Sequence, residues 1–228
     1  LLALADEHGC ELVGGDTTQG PLNICITVLG EVPAGQALLR SGAQVGDDIY
    51  VSGALGDARL ALEALQGRIA LAPAVLAAAR QRLETPTPRV ALGQALRGVA
   101  HSAIDVSDGL LGDLGHILRA SGVGACIDTS ITIDLIAASA GIDWATGQFD
   151  AALPPTWLHQ CTLAGGDDYE LAFTAPPTRR AAVQAAAQAS ATPVTRIGRI
   201  EAAPGLRLIG ADGQPVAAPA QASFDHFA

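Results

Sequence analysis

The stretch Ile104-Asp105-Val106-Ser107-Asp108-Gly109, running on into Leu110-Leu111-Gly112-Asp113-Leu114-Gly115-His116-Ile117-Leu118-Arg119-Ala120-Ser121, reads as a strand that feeds an amphipathic helix. Ser102 to Val106 is strand-like, Ser107-Asp108-Gly109 interrupts it, and Leu110, Leu111, Leu114, Ile117 and Leu118 share one face at helical spacing. Alternation along the strand points Asp105 and Ser107 the same way. Asp108 enters the first turn of the helix, where free N–H groups and the positive end of the dipole attract anions. Two carboxylates beside such a helix end suit a magnesium–nucleotide site, with hard oxygen ligands for the metal and N–H donors for phosphate. Capping of the helix by Ser107 or Asp108 accounts for the same pattern.

Working outward, the same alternation of strand and helix recurs. Upstream, Asp48 to Ser52 reads as a strand entering the turn Gly53-Ala54-Leu55-Gly56, and a helix from Asp57 carries Leu60, Leu62 and Leu65. A second helix spans Pro73 to Glu84, with proline in its first turn, and a third runs from Arg89 to Gly98. Downstream, Tyr169 to Thr174 and Val194 to Ile200 read as strands around a helix from Thr178 to Ser190. Leu206 to Gly210 and the segment from Pro215 flank a turn at Ala211-Asp212-Gly213. At the start, a helix over Leu1 to His8 precedes strands at Cys10 to Val13 and Leu22 to Gly30. Pro33-Ala34-Gly35 marks a boundary between residues 1–32 and 33–228. The fold class is α/β, of the α+β type.

Composition removes whole classes of function. With 49% hydrophobic and 16% charged residues among 228, the chain can bury a core and is not disordered. Thirteen basic against twenty-three acidic residues leave −10, a field that repels nucleic acid. All the basic residues are arginine, so a P-loop lysine, a Schiff base and the protein-kinase lysine are excluded. The five histidines show no metal-ligand spacing and no Gly-x-Ser-x-Gly elbow is present. The longest apolar run, Ile69 to Ala79, contains Pro73 and falls short of the roughly 20 residues that span a bilayer. Cys10, Cys25, Cys126 and Cys161 form no C-x-x-C pair and read as buried free thiols of a cytoplasmic protein. Met is absent and Leu1 stands inside a helix, which predicts that further residues precede it.

Two more acidic loops resemble the first. Gly165-Gly166-Asp167-Asp168-Tyr169-Glu170 places three carboxylates within four residues, which repel unless solvated or bound to a cation. Gly14-Gly15-Asp16-Thr17-Thr18 again sets an Asp behind paired glycines after a strand. Each alone is equally a solvated turn. Three such loops, with strong net acidity and no lysine, fit a site where Mg²⁺ ions neutralise phosphate. Arg40, in Leu38-Leu39-Arg40-Ser41-Gly42, offers a guanidinium for a phosphate or is a plain surface charge.

Taken in order, Gly14 to Thr18, Leu38 to Gly42 with Gly46 to Gly53, Ile104 to Gly109, Gly165 to Leu171 and the terminal Phe224-Asp225-His226-Phe227 closely resemble the thiamine-monophosphate kinase family, over the whole length. That family belongs to the aminoimidazole ribonucleotide synthetase-like ATP-binding superfamily. The resemblance implies a mixed-sheet C-terminal domain at 33–228 and, at 1–32, a remnant of the N-terminal ATP-binding and dimerisation domain, whose main part precedes Leu1. It implies γ-phosphoryl transfer from ATP to thiamine monophosphate, in line and with several Mg²⁺ ions, by a homodimer. Another ATP-dependent kinase or synthetase of the superfamily, or a non-catalytic nucleotide-binding module, is the alternative. By motif, Gly15, Asp16, Arg40 and Ser107 contact nucleotide, while Asp16, Asp105 and Asp108 hold magnesium. Asp167 contacts the thiamine moiety and Phe224 packs against it, an aromatic face for a cationic thiazolium.

Overall fold

In a computed structural model, the described residues are 2–136, 155–219 and 223. The chain divides into two compact units, Leu1–Ala37 and Leu38–Ala228.

The leading unit contains helix α1 (Leu2–Glu7), with no buried residue. The strands expected at Cys10 to Val13 and Leu22 to Gly30 do not form among the described residues. Leu22, Ile24, Ile26 and Val28 alternate as a strand would, yet are 59–93% exposed. A strand exists only through a ladder with a neighbour, and within this unit no neighbour supplies one. Cys10 and Cys25 are likewise exposed, against the expectation of buried thiols, whereas Cys161 is buried and its thiol is pushed up to about 12 by burial.

The second unit is built on β1 (Asp48–Ser52), β2 (Ser102–Val106), β3 (Gly124–Asp128), β4 (Glu170–Ala175), β5 (Val194–Glu201) and β6 (Gly205–Ile209). They form one mixed sheet in the order β2-β4-β1-β5-β3-β6. All neighbours are antiparallel except β3 and β6. The helices are α2 (Asp57–Leu65), α3 (Pro73–Glu84), α4 (Val90–Ala95), α5 (Leu110–Ser121), α6 (Thr129–Ile133), α7 (Pro155–Ala164) and α8 (Arg180–Ala189). The mixed α/β reading holds. The helix expected over Arg89 to Gly98 closes early, at Ala95. β3, α6 and α7 are additional to the elements that the sequence predicts.

Both faces of the sheet are covered. Ile49 and Val51 of β1 join Ile104, Val106 and the leucines of α5 in the main core. Tyr50, between them in sequence, points the other way into a second core with Phe173, Leu92, Leu96 and Val183. Its ring stacks on Phe173, its register partner, at 5.2 Å and 10°. A central strand buried on both sides is why Ile49, Tyr50 and Val51 are apolar in succession, without alternation. No helix of the described residues is long and apolar enough to cross a membrane.

Candidate functional site

β2 and β4 pair with Val106 opposite Glu170, so the loop leaving β2 and the loop entering β4 emerge side by side. They are stitched together by backbone. The Asp167 N–H donates to the Ser107 carbonyl (2.8 Å) and the Tyr169 N–H to the Val106 carbonyl (2.9 Å). Both donors adopt left-handed backbone, φ 61° at Asp167 and 51° at Tyr169, conformations that L-residues hold only when their surroundings impose them. The approach is close: a Cβ on Gly109 would lie 3.0 Å from the Ala164 backbone. Two of the predicted acidic motifs are therefore brought to one place.

Within that place the carboxylates divide. Asp105 is exposed, opposite in facing to the buried Ile104 and Val106. Asp108 and Ser107 are half-buried, as is Asp167. Tyr169, 47% exposed, sits among them. Its phenol is pushed above its ordinary range by burial and by the Asp167 carboxylate, with Asp108 and Asp105 adding to it. Asp168 and Glu170 turn inward instead. Asp168 is 3% exposed, accepts the Gly56 N–H at 2.8 Å, and is pushed well above the usual carboxylate range by burial. Glu170 is fully buried and receives Ser52 Oγ (2.5 Å), Arg82 Nη2 (2.6 Å), Arg89 Nε (2.7 Å) and Arg89 Nη2 (2.5 Å). Of the three carboxylates in that run, only Asp167 is not buried, and its Oδ1 receives the Tyr169 hydroxyl at 3.5 Å.

The loop after β2 departs from expectation in one respect. Its N–H groups are not free for phosphate: those of Ser107, Asp108 and Gly109 all donate to Asp113 Oδ2, at 3.0, 3.1 and 3.1 Å. Nor is Ser107 or Asp108 the N-cap residue of α5, which is Gly109. Asp113 is 5% exposed, and burial pushes its carboxyl up despite the three N–H donors. An Asp on the apolar face between Leu111 and Leu114 was the available signal. The turn Gly53–Gly56 is structural, as expected: Gly56 starts α2 at φ 93° and a Cβ on Gly53 would strike the Glu170 carboxylate.

The remaining predicted residues belong to other segments of the chain. Arg40 is exposed, beside Leu39, whose carbonyl accepts the Ala103 N–H (2.9 Å) at the start of β2. Gly15 and Asp16 are exposed in the leading unit, where Asp16 Oδ1 accepts the Thr17 N–H at 2.8 Å. Phe224 lies outside the described residues. Asp47 and Asp48, the acidic pair at the start of β1, are structural: Asp47 meets His101 Nδ1 at 2.8 Å. Asp48 is pushed up by burial, but Arg180 and Arg196 outweigh that and hold its carboxyl below the usual range.

Residues 44–211 match the family model described as AIR synthase related protein, C-terminal domain. The chain is 43% identical over its whole length to the thiamine-monophosphate kinase of Salmonella typhimurium, of which it spans 67%. It is similar to the crystal structure of thiamine-monophosphate kinase from Stenotrophomonas maltophilia, with TM-score 0.76 and 43% identity over 94% of this chain and 65% of that one. A structure of AaThiL complexed with AMPPCP and TMP is similar at TM-score 0.60 and 30% identity, over 83% of this chain and 54% of that one. The sheet with two conjoined acidic loops and these likenesses lead to one conclusion: the chain belongs to the thiamine-monophosphate kinase family.

Proposed function

We propose that this chain serves ATP-dependent phosphorylation of thiamine monophosphate to thiamine diphosphate, by direct in-line transfer of the γ-phosphoryl group. The observation that carries the reading is the meeting of Asp105 near the end of β2, and Ser107 and Asp108 in the loop after it, with Asp167 and Tyr169 from another loop. AaThiL, a 30% identical relative, has been solved with AMPPCP and TMP.

In this reading Ser107, Arg40, Gly15 and Asp16 hold the nucleotide, and Asp167 and Phe224 hold the thiamine moiety. Asp16, Asp105 and Asp108 serve as magnesium ligands. Among the described residues no three acidic, histidine or cysteine side chains group tightly enough to hold a metal ion alone. Mg²⁺ keeps several waters and takes one or two carboxylates plus substrate phosphates. When bound, it would neutralise charge on the phosphates. The chain's own residues contribute positioning: phosphoryl transfer requires alignment and charge neutralisation more than proton chemistry. The stitched backbone of the two loops keeps Asp167 at a set distance from Ser107 and Asp108.

Residues 1–32 are assigned to the end of an ATP-binding domain through which the protein forms a homodimer in the cytoplasm. The test is ADP release by this chain joined to the leading segment of the Stenotrophomonas enzyme, offered thiamine monophosphate or other phosphorylated acceptors. Turnover that depends on thiamine monophosphate is expected. Nucleotide binding with no such turnover would overturn the assignment.

A further inference from the structure

Three consecutive N–H groups, those of Ser107, Asp108 and Gly109, converge on one oxygen, Asp113 Oδ2, at 3.0–3.1 Å. Such a row of N–H groups is an anion-binding nest, and here its occupant is part of the chain. Asp113 reaches it from the first turn of α5, 5% exposed and flanked by the core residues Leu110, Leu111 and Leu114. A buried carboxylate on an apolar helix face is costly unless its oxygens are satisfied, so its bonds to the loop are what make this residue tolerable there. On its other side the loop is held equally firmly. The Val106 and Ser107 carbonyls accept from Tyr169 and Asp167. The backbone of the loop is thus held from both sides.

We propose that Asp113 is a positioning residue that fills the loop's own anion nest, fixing the backbone of Ser107 to Gly109 and denying that nest to phosphate. A phosphate group reaching this loop meets the carboxylates of Asp105, Asp108 and Asp167 and no open N–H cradle, so it must arrive with a cation. That last step rests on the kinase reading above; the role of Asp113 in holding the loop does not.

The test uses the ¹⁵N-labelled 228-residue chain without nucleotide or metal. In Asp113→Ala, hydrogen exchange at the amides of Ser107, Asp108 and Gly109 should speed up by about 10- to 100-fold. Sodium formate should restore slow exchange in this variant and leave the wild type unchanged. Inorganic phosphate should shift these amides in the variant alone. Asp113→Asn keeps the shape and an uncharged acceptor, and should show a smaller loss, about 3- to 10-fold, if the alanine variant fails to fold. Unchanged exchange in the variants, or phosphate shifts in the wild type equal to those in Asp113→Ala, would overturn the proposal. Mn²⁺ added to the wild type separates the two readings. Broadening of these amides supports both; its absence, with the exchange results intact, supports the positioning role and sinks the metal assignment.

Discussion

The loop leaving β2 and the loop entering β4 are both rich in aspartate, lie side by side, and handle their charge differently. After β2, the backbone N–H groups are directed at a single buried carboxylate, Asp113, and Asp105 is exposed. Before β4, the N–H groups of Asp167 and Tyr169 go to carbonyls, and the charge is split between an accessible Asp167 and the buried Asp168 and Glu170. Glu170 is matched by two arginines, whereas Asp168 has a single N–H donor and lies beside other carboxylates. The difference teaches that a dense acidic run is not itself a binding site. Each carboxylate is assigned to structure or to ligand by whether a cation or N–H group of the chain already reaches it.

The comparison breaks most visibly at Glu170. Replacing it with alanine strands Arg82, Arg89 and the Ser52 hydroxyl, and should cost about 3–5 kcal/mol, as for other buried ion pairs that lose one partner. Urea unfolding measures it. A loss under about 1 kcal/mol would show that the arginines relax to water instead.

Asp168→Asn sharpens the contrast through pH. The folded-state carboxyl of Asp168 is raised, so its contribution is fully present below the unfolded value near 3.8 and is lost as pH rises through the folded one. Thermal melts of wild type and variant should therefore separate with rising pH, the asparagine variant gaining relative to the wild type. A difference in Tm that stays constant from acid to neutral pH would contradict the burial-driven shift. Asp48, held low by Arg180 and Arg196 after burial is outweighed, works in the opposite sense: its stabilisation is present above the unfolded value near 3.8 and fades as pH falls through the lowered one.

The smallest effect on stability is expected at Asp105, exposed and free of the nest. Asp105→Asn should change unfolding free energy by no more than about 0.5 kcal/mol, and, on the proposed kinase reading, raise the Mg²⁺ concentration needed for half-maximal turnover. A stability loss several times larger would move Asp105 from the ligand group to the structural one.

Much of this was legible in the chain itself. The apolar run Ile49 to Val51, the alternation in Ser102 to Val106, the apolar face of Leu110 to Leu118, and proline at the start of α3 are local patterns, and local patterns reflect which face an element buries. The glycine-flanked aspartates of both loops were equally readable, because glycine and aspartate mark tight backbone wherever they occur. The extended apolar stretch from Leu22 to Val28 shows the limit: the pattern is present, but a strand needs a partner and the pattern carries none.

Sequence by itself determined the mixed α/β class, the positions of the acidic loops and the absence of any lysine chemistry, since these depend on residue type and spacing alone. Only the tertiary structure decided which aspartate does what. Asp113 fills a nest while Asp168 and Glu170 are buried against Gly56 and two arginines, because the fate of a charge is set by the donors that packing brings within about 3 Å of it, and those donors come from elsewhere in the chain.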